Sequence, residues 1–297
     1  MREDKMSLPN LEVIAGSLTS GLLLGGSLSL IALGLSISLG VMRLVNLAHG
    51  ELLVCGAYLS YFLLSYLGID PILGLLLVGA LVAVIALPFH RLLIAPLAGK
   101  GMEAPMMTMF GVSIILQNLM LLSFSADTRT IEASYATQPL ALGPVTVPKI
   151  YLIGFVVSVA LVWCVHMVVS RTAFGRELRA SSADPGAAAT LGVDVRRVHA
   201  ITFSMGAACA AMGGVLIGTA FSFTPSTGAT YLLISFAIVV LGGVGNIFGT
   251  LVAGIAMGVL QSIGAVILGD GYRDLVGLVL FLLALALRPG GIVSGRA

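Results

Sequence analysis

Apolar residues run along this chain in long, almost unbroken stretches, parted by short polar or glycine-rich connections. The first stretch covers about Val13 to Leu39, and the second about Leu47 to Leu67, closed by the tight turn Gly68-Ile69-Asp70-Pro71. Further stretches cover about Ile72 to Ile94, Met106 to Phe124, Ile150 to Val169 and Val198 to Phe221. The stretch from Tyr231 to Leu268 is interrupted by Gly242-Gly243-Val244-Gly245-Asn246 and reads as two spans. A last one, Leu275 to Leu287, stops at Arg288-Pro289-Gly290-Gly291, where proline cannot continue a helix. Stretches near twenty residues match the thickness of a bilayer's hydrocarbon core. The ten-residue alternating segments of a lipid-facing β-barrel are absent from the sequence. The pattern predicts an all-α, polytopic transmembrane bundle of eight or nine spans, some discontinuous, in a single domain over 1–297.

Composition agrees. Of 297 residues, 58% are hydrophobic and 9% charged, with a mean hydropathy of +1.10. A soluble domain carries about 25% charged residues to wet its surface. Glycine occurs 37 times; small residues let membrane helices approach closely, and glycine tolerates broken helices. The small-residue surface of Gly206, Gly213, Gly214 and Gly218 in the sixth span reads as packing. Cys55, Cys164 and Cys209 lie far apart in apolar stretches, with no ligand spacing or disulfide framework. The first residues, including Arg2, Glu3, Asp4 and Lys5, lack a basic n-region, and no cleaved signal peptide is expected.

Charge orients the chain. The loop 171–197 carries Arg171, Arg176, Arg179, Arg196 and Arg197, whereas the proline-rich stretch from Ser125 to Pro148 carries only Arg129, with Lys149 at its end. Positive-inside bias puts the first loop in the cytoplasm. Nine crossings then place the C-terminus inside, the N-terminus outside and Arg43 on the inner side.

Catalytic chemistry is not visible. Gly99-Lys100-Gly101 lacks the other elements of a phosphate-binding loop, and no nucleophile elbow, paired catalytic carboxylates or HExxH helix occurs. No cofactor, metal or nucleic-acid partner is expected. Nearly all charges fall in loops or at span ends, Glu51 being the main exception. Ion-coupled carriers keep such groups deep in their spans, so the scarcity favours energy supplied by a separate ATPase.

Three elements remain as functional candidates. Asn46-Leu47-Ala48-His49-Gly50-Glu51 puts an imidazole and a carboxylate beside a glycine at the start of the second span. Gly242, Gly243 and Gly245 form a second break, with Gly249 just beyond. Discontinuous helices in both halves of a transporter point to its solute path, although glycines at these positions equally suit tight helix crossing. In the loop 171–197, Asp184 can cap a short helix with Pro185 at its first position and Gly192 past its end. Ala187, Ala188, Ala189 and Leu191 would give it a smooth, small-residue apolar face suited to a partner's groove.

These residues resemble a known family. Val45-Asn46-Leu47-Ala48-His49-Gly50-Glu51, Gly175-Arg176-Glu177-Leu178-Arg179-Ala180 continuing through Leu191-Gly192-Val193, Val240-Leu241-Gly242-Gly243-Val244-Gly245, and Arg288-Pro289-Gly290-Gly291-Ile292 are similar to the motifs of ABC-transporter permeases of the branched-chain amino acid type, nearest the LivH-like subunit. The resemblance covers nearly the whole chain, with Leu47 and Glu177 as small departures. It implies a multi-pass protein of the bacterial inner membrane that imports a solute. Its partners would be a second related permease, two cytoplasmic ATPase subunits and a periplasmic solute-binding protein. By the same resemblance, Arg176, Arg179, Asp184, Gly186, Ala188, Leu191 and Gly192 belong to the ATPase-coupling region, and Asn46, His49, Gly50, Glu51, Gly242, Gly243 and Gly245 border the translocation route. Branched-chain and other small amino acids, urea and short amides all remain open as solutes.

Overall fold

The computed structural model describes residues 11–97, 100–143 and 145–287. The charged N-terminal residues, Gly99, Pro144 and the closing Arg288-Pro289-Gly290-Gly291-Ile292 pattern lie outside the described residues. The chain folds into α1 (Leu11–Met42), α2 (His49–Leu67), α3 (Pro71–Phe89), α4 (Glu103–Phe124), β1 (Pro139–Leu142), β2 (Val145–Pro148), α5 (Lys149–Arg171), α6 (Ala173–Ala183), α7 (Pro185–Thr190), α8 (Val195–Ala220), α9 (Gly228–Gly242), α10 (Ile247–Leu268) and α11 (Arg273–Leu287). Among the described residues, eight helical stretches are long and apolar enough to cross a membrane. The described part of α11 has 15 residues, or roughly 22 Å at 1.5 Å per residue. This is the all-α polytopic bundle that the apolar pattern predicts.

α1 and α8 are buried along most of their length and form the axis of the bundle; α4 and α5 lie at its periphery. With no water to drive helices together inside lipid, close backbone approach and hydrogen bonds hold the core. Gly21 and Gly25 of α1 face Gly254 and Gly258 of α10, so the two helices meet nearly backbone to backbone. Ser29 Oγ lies between the same pair, 2.6 Å from the Gly25 carbonyl and 3.0 Å from that of Leu251, and its single hydrogen is shared between them. Gly206 and Gly213 of α8 pack on α1, and Gly214 and Gly218 pack on α2. The small-residue surface is therefore a packing surface on two sides. Leu73, on α3, and Leu122, on α4, turn outward to the lipid side.

Two features break the regular helices. Pro88 lies within α3, and the helix continues as one wide π-type turn, His90–Ile94, before a short 3₁₀ turn. Proline removes a ladder donor and crowds the preceding turn, so the local widening has a direct cause. On the opposite face, residues 125–148 contain an antiparallel hairpin, with Pro139 opposite Pro148 and Leu142 opposite Val145. Val145 and Val147 bury themselves against Leu23 of α1. The hairpin is absent from the sequence-based reading, which takes this stretch as a proline-rich loop. Beside it, Asp70 caps α3, accepting from Ile72 N at 2.9 Å, and also accepts from the Tyr135 hydroxyl at 3.0 Å. Burial first, and then the Asp70 carboxylate, push the Tyr135 phenol above the ordinary tyrosine range.

Candidate functional site

The first candidate segment is a re-entrant start. α1 ends at Met42, and Arg43 turns the chain with φ of 50°. The next residues carry it back into the bundle, where Asn46, His49 and Glu51 are all buried. Asn46 Oδ1 accepts from Ala48 N at 3.0 Å and stabilises the bend. His49 Nε2 donates to the carbonyl of Ile31, in the interior of α1, at 2.9 Å. α2 therefore begins inside the protein and not at its surface.

What it meets there is the start of α9. The backbone of Gly50 lies against that of Gly228, with no room for a Cβ on either residue. α9 is prepared by Thr224-Pro225-Ser226-Thr227, a reciprocal capping box in which Thr224 N donates to Thr227 Oγ1 at 2.9 Å. Glu51 occupies the joint. Its Oε1 accepts from Ser113 Oγ of α4 at 3.3 Å, and its Oε2, without a protein partner, lies over the first residue of α9. A buried carboxylate is costly, and two converging helix N-termini, with their positive dipole ends, offset part of that cost. His49 and Glu51 point to different partners and form no joint site.

The second break lies at the other end of α9. Gly243 and Gly245 have φ of +86° and +77°, a region that favours glycine. Gly242 packs on Gly249, and Asn246 caps α10 by accepting from Gly249 N at 2.9 Å. Gly245 N donates to Ser36 Oγ of α1 at 3.1 Å, while Gly40 rests on Gly245. The two breaks are not brought together. The 15-residue α9 runs from one to the other.

The loop 171–197 folds as two short helices against the body. Thr172 caps α6 through Gly175 N at 3.1 Å, and Gly175 packs tightly on the Val169 carbonyl of α5. Arg179 also donates to that carbonyl, whereas Arg176 is exposed. Asp184 caps α7, accepting from Gly186 N at 2.8 Å and Ala187 N at 3.0 Å, with Pro185 at the first position. Gly192 follows with φ of +88°. The anticipated single smooth face is divided. Ala188 is buried toward the bundle, while Gly186, Ala187, Ala189 and Leu191 face outward, Leu191 at 83% exposure. Arg43, Arg196 and Pro185 line one cavity, so the end of α1 and this loop share a side of the molecule.

The family model described as "Branched-chain amino acid transport system / permease component" matches residues 17–285, across both breaks and both short helices. The chain belongs to this family. It is a permease component, a multi-pass protein of the bacterial inner membrane. The high-affinity branched-chain amino acid transport system permease protein BraD of Pseudomonas aeruginosa is 29% identical, over 97% of this chain and 98% of its own length. Its counterpart LivH of Escherichia coli K12 is 30% identical, over 93% and 94%. The ribose import permease RbsC of Bacillus subtilis is 27% identical over 77% of this permease and 68% of its own length. No solved structure matches the permease at a significant level.

Within the permease, the sequence-based reading misses the re-entrant start of α9. It carries the sixth span to Phe221 and resumes the next at Tyr231, whereas α9 begins at Gly228. The signal is present in Thr224-Pro225-Ser226-Thr227, a hydroxyl cap followed by proline at the first helical position.

Proposed function

We propose that this permease forms half of the membrane unit of an ATP-driven importer for branched-chain or related small amino acids. The second half is a related permease, and two cytoplasmic ATPase subunits and an external solute-binding protein complete the assembly. The single observation that carries the reading is the near full-length similarity to two permeases named for branched-chain amino acid transport. Urea and short amides have no such support. The similarity to a ribose permease shows why the solute has to be measured and not read from the fold.

The mechanism is alternating access. The Gly50–Gly228 contact is the internal closure, because two helix starts abut there backbone to backbone, with the Glu51 carboxylate lying over Gly228. Opening the inward path separates α2 from α9, and Asn46, His49 and Glu51 move with the re-entrant segment. The Gly242–Gly245 break lets the far end of α9 pivot against Ser36 and Gly40. The ATPases act on Arg176, Asp184, Gly186, Leu191 and Gly192 at the surface of α6 and α7. Arg179 and Gly175 tie α6 to α5, and Ala188 buries the inner side of α7. α8 follows directly and packs on α2 through Gly214 against Leu53. The force therefore has a continuous packed route to the closure.

The test is uptake by the complete complex in proteoliposomes supplied with its binding protein. Leucine, isoleucine or valine enters only with ATP inside the ATPase compartment. Uptake that ignores ATP and follows an ion gradient overturns the reading.

A further inference from the structure

We propose that a cleft on the outer face, between α1, α8, α9, α10 and α11, binds a zwitterionic α-amino acid with an aliphatic side chain. In this assignment Arg273 receives the carboxylate, and Asp274 with Gln261 receives the ammonium. The inference deepens the importer reading and rests on it for the solute class.

The cleft has a volume of about 440 Å³, within the usual range for small-molecule sites. Its two ends differ in chemistry. Arg273 and Asp274 are consecutive residues at the start of α11, and both line the mouth. The Arg273 guanidinium lies 5.1 Å from the Phe221 ring centre, and its Nη2 is ion-paired at 3.4 Å with the exposed Asp270, which also lines the cleft. The Arg273 Nε is buried without a hydrogen-bond partner among the described residues. Asp274 Oδ1 accepts from the buried Gln261 Nε2 at 3.3 Å and keeps its remaining acceptor capacity. Leu24, Leu28, Ile217 and Ile234, each nearly fully buried, line the cleft together with the hydroxyls of Ser226, Thr227 and Thr230.

Arg273 and Asp274 side by side, with Asp270 sharing the arginine, suit a ligand that carries opposite charges on a single carbon. A purely anionic solute leaves Asp274 without a cation, and a purely cationic one leaves the buried Arg273 Nε unpaired. Thr227, also on the cleft wall, immediately precedes Gly228. The cleft thus ends at the Gly50–Gly228 closure, which places it on the outer half of the route.

Binding is read by equilibrium dialysis of radiolabelled leucine against the complete complex in nanodiscs, without its binding protein. Arg273→Gln and Asp274→Asn each weaken binding by about tenfold or more, as expected for loss of a charge-assisted hydrogen bond. Arg273→Lys and Asp274→Glu recover most of it. Glu132→Gln, which removes an exposed charge on the same face, leaves binding as it was. Absence of binding, binding indifferent to both neutralisations, or losses that the charge-retaining variants do not recover overturn the cleft assignment. ATP-driven uptake, measured alongside, separates the two claims. Uptake of leucine with no dependence on either charge overturns the cleft alone. Charge-dependent binding without ATP-driven uptake of any branched-chain amino acid overturns the importer reading and leaves the cleft standing.

Discussion

The backbone of Gly50, in the first turn of α2, rests directly on the backbone of Gly228, where α9 begins. A Cβ at Gly50 has nowhere to go, because its neighbour is the backbone of Gly228; at Gly228 it meets the Glu51 carboxylate as well as the Gly50 backbone. Gly50→Ala is expected to lower stability by about 1–3 kcal/mol, the usual cost of overpacking, and to reduce uptake sharply. Gly111→Ala is the matched control: Gly111 lies within α4, and a Cβ there meets nothing within 4 Å. Thermal unfolding of the purified complex, paired with uptake, reads both. Equal behaviour of the two variants contradicts the closure.

His49 ties the re-entrant start of α2 to α1 through the Ile31 carbonyl. His49→Leu keeps similar bulk and removes the donor, so the loss is a hydrogen bond worth about 1 kcal/mol. His49→Gln, which retains a donor, is expected to lie between Leu and the native residue in melting temperature. A Gln variant no better than Leu removes the hydrogen bond from the account.

Glu51 separates two energy sources. If it is a fixed counter-charge at two helix starts, Glu51→Gln keeps the Ser113 contact and retains more than half of ATP-driven uptake, unaffected by an uncoupler. If it carries a coupling ion, the same variant abolishes transport. Uptake with and without an uncoupler distinguishes them.

On the cytoplasmic side the structure sorts the coupling candidates. Ala188 is buried, so a bulky replacement there disturbs the seat of α7 itself. Leu191 is exposed and is the better probe of a partner surface. Leu191→Asp is expected to leave the permease folded while lowering uptake per ATP hydrolysed at least several-fold. A tryptophan at Gly186, where a Cβ meets only Asp184 Oδ1 at 3.2 Å, is expected to act the same way. Asp184→Ala removes the α7 cap at a cost of about 1 kcal/mol and weakens coupling more mildly. Unchanged coupling in all three variants, in assembled complexes, contradicts the surface assignment.

The spans are legible in the sequence because lipid demands about twenty consecutive apolar residues and tolerates few charges. The Asp184 cap, Pro185 and the glycine after α7 are legible because capping is local chemistry. The depth at which α2 and α9 begin is not. It depends on Gly50 meeting Gly228, residues 178 positions apart, and nothing local encodes that pairing. The prolines at 139 and 148 obscure the alternation Val145-Thr146-Val147, so the hairpin is hidden. A six-residue α7 is too short for periodicity to say that Ala188 turns inward while Leu191 turns out.

The most direct test of the central claim is what accompanies this permease out of the membrane. The tagged chain is purified from gently solubilised membranes of its native host, its partners are identified, and the recovered assembly is reconstituted for uptake. The account predicts a second related permease and two ATPase subunits, with branched-chain amino acid uptake that requires ATP. Recovery of the chain alone, or only with copies of itself, while still transporting under an ion gradient, contradicts it.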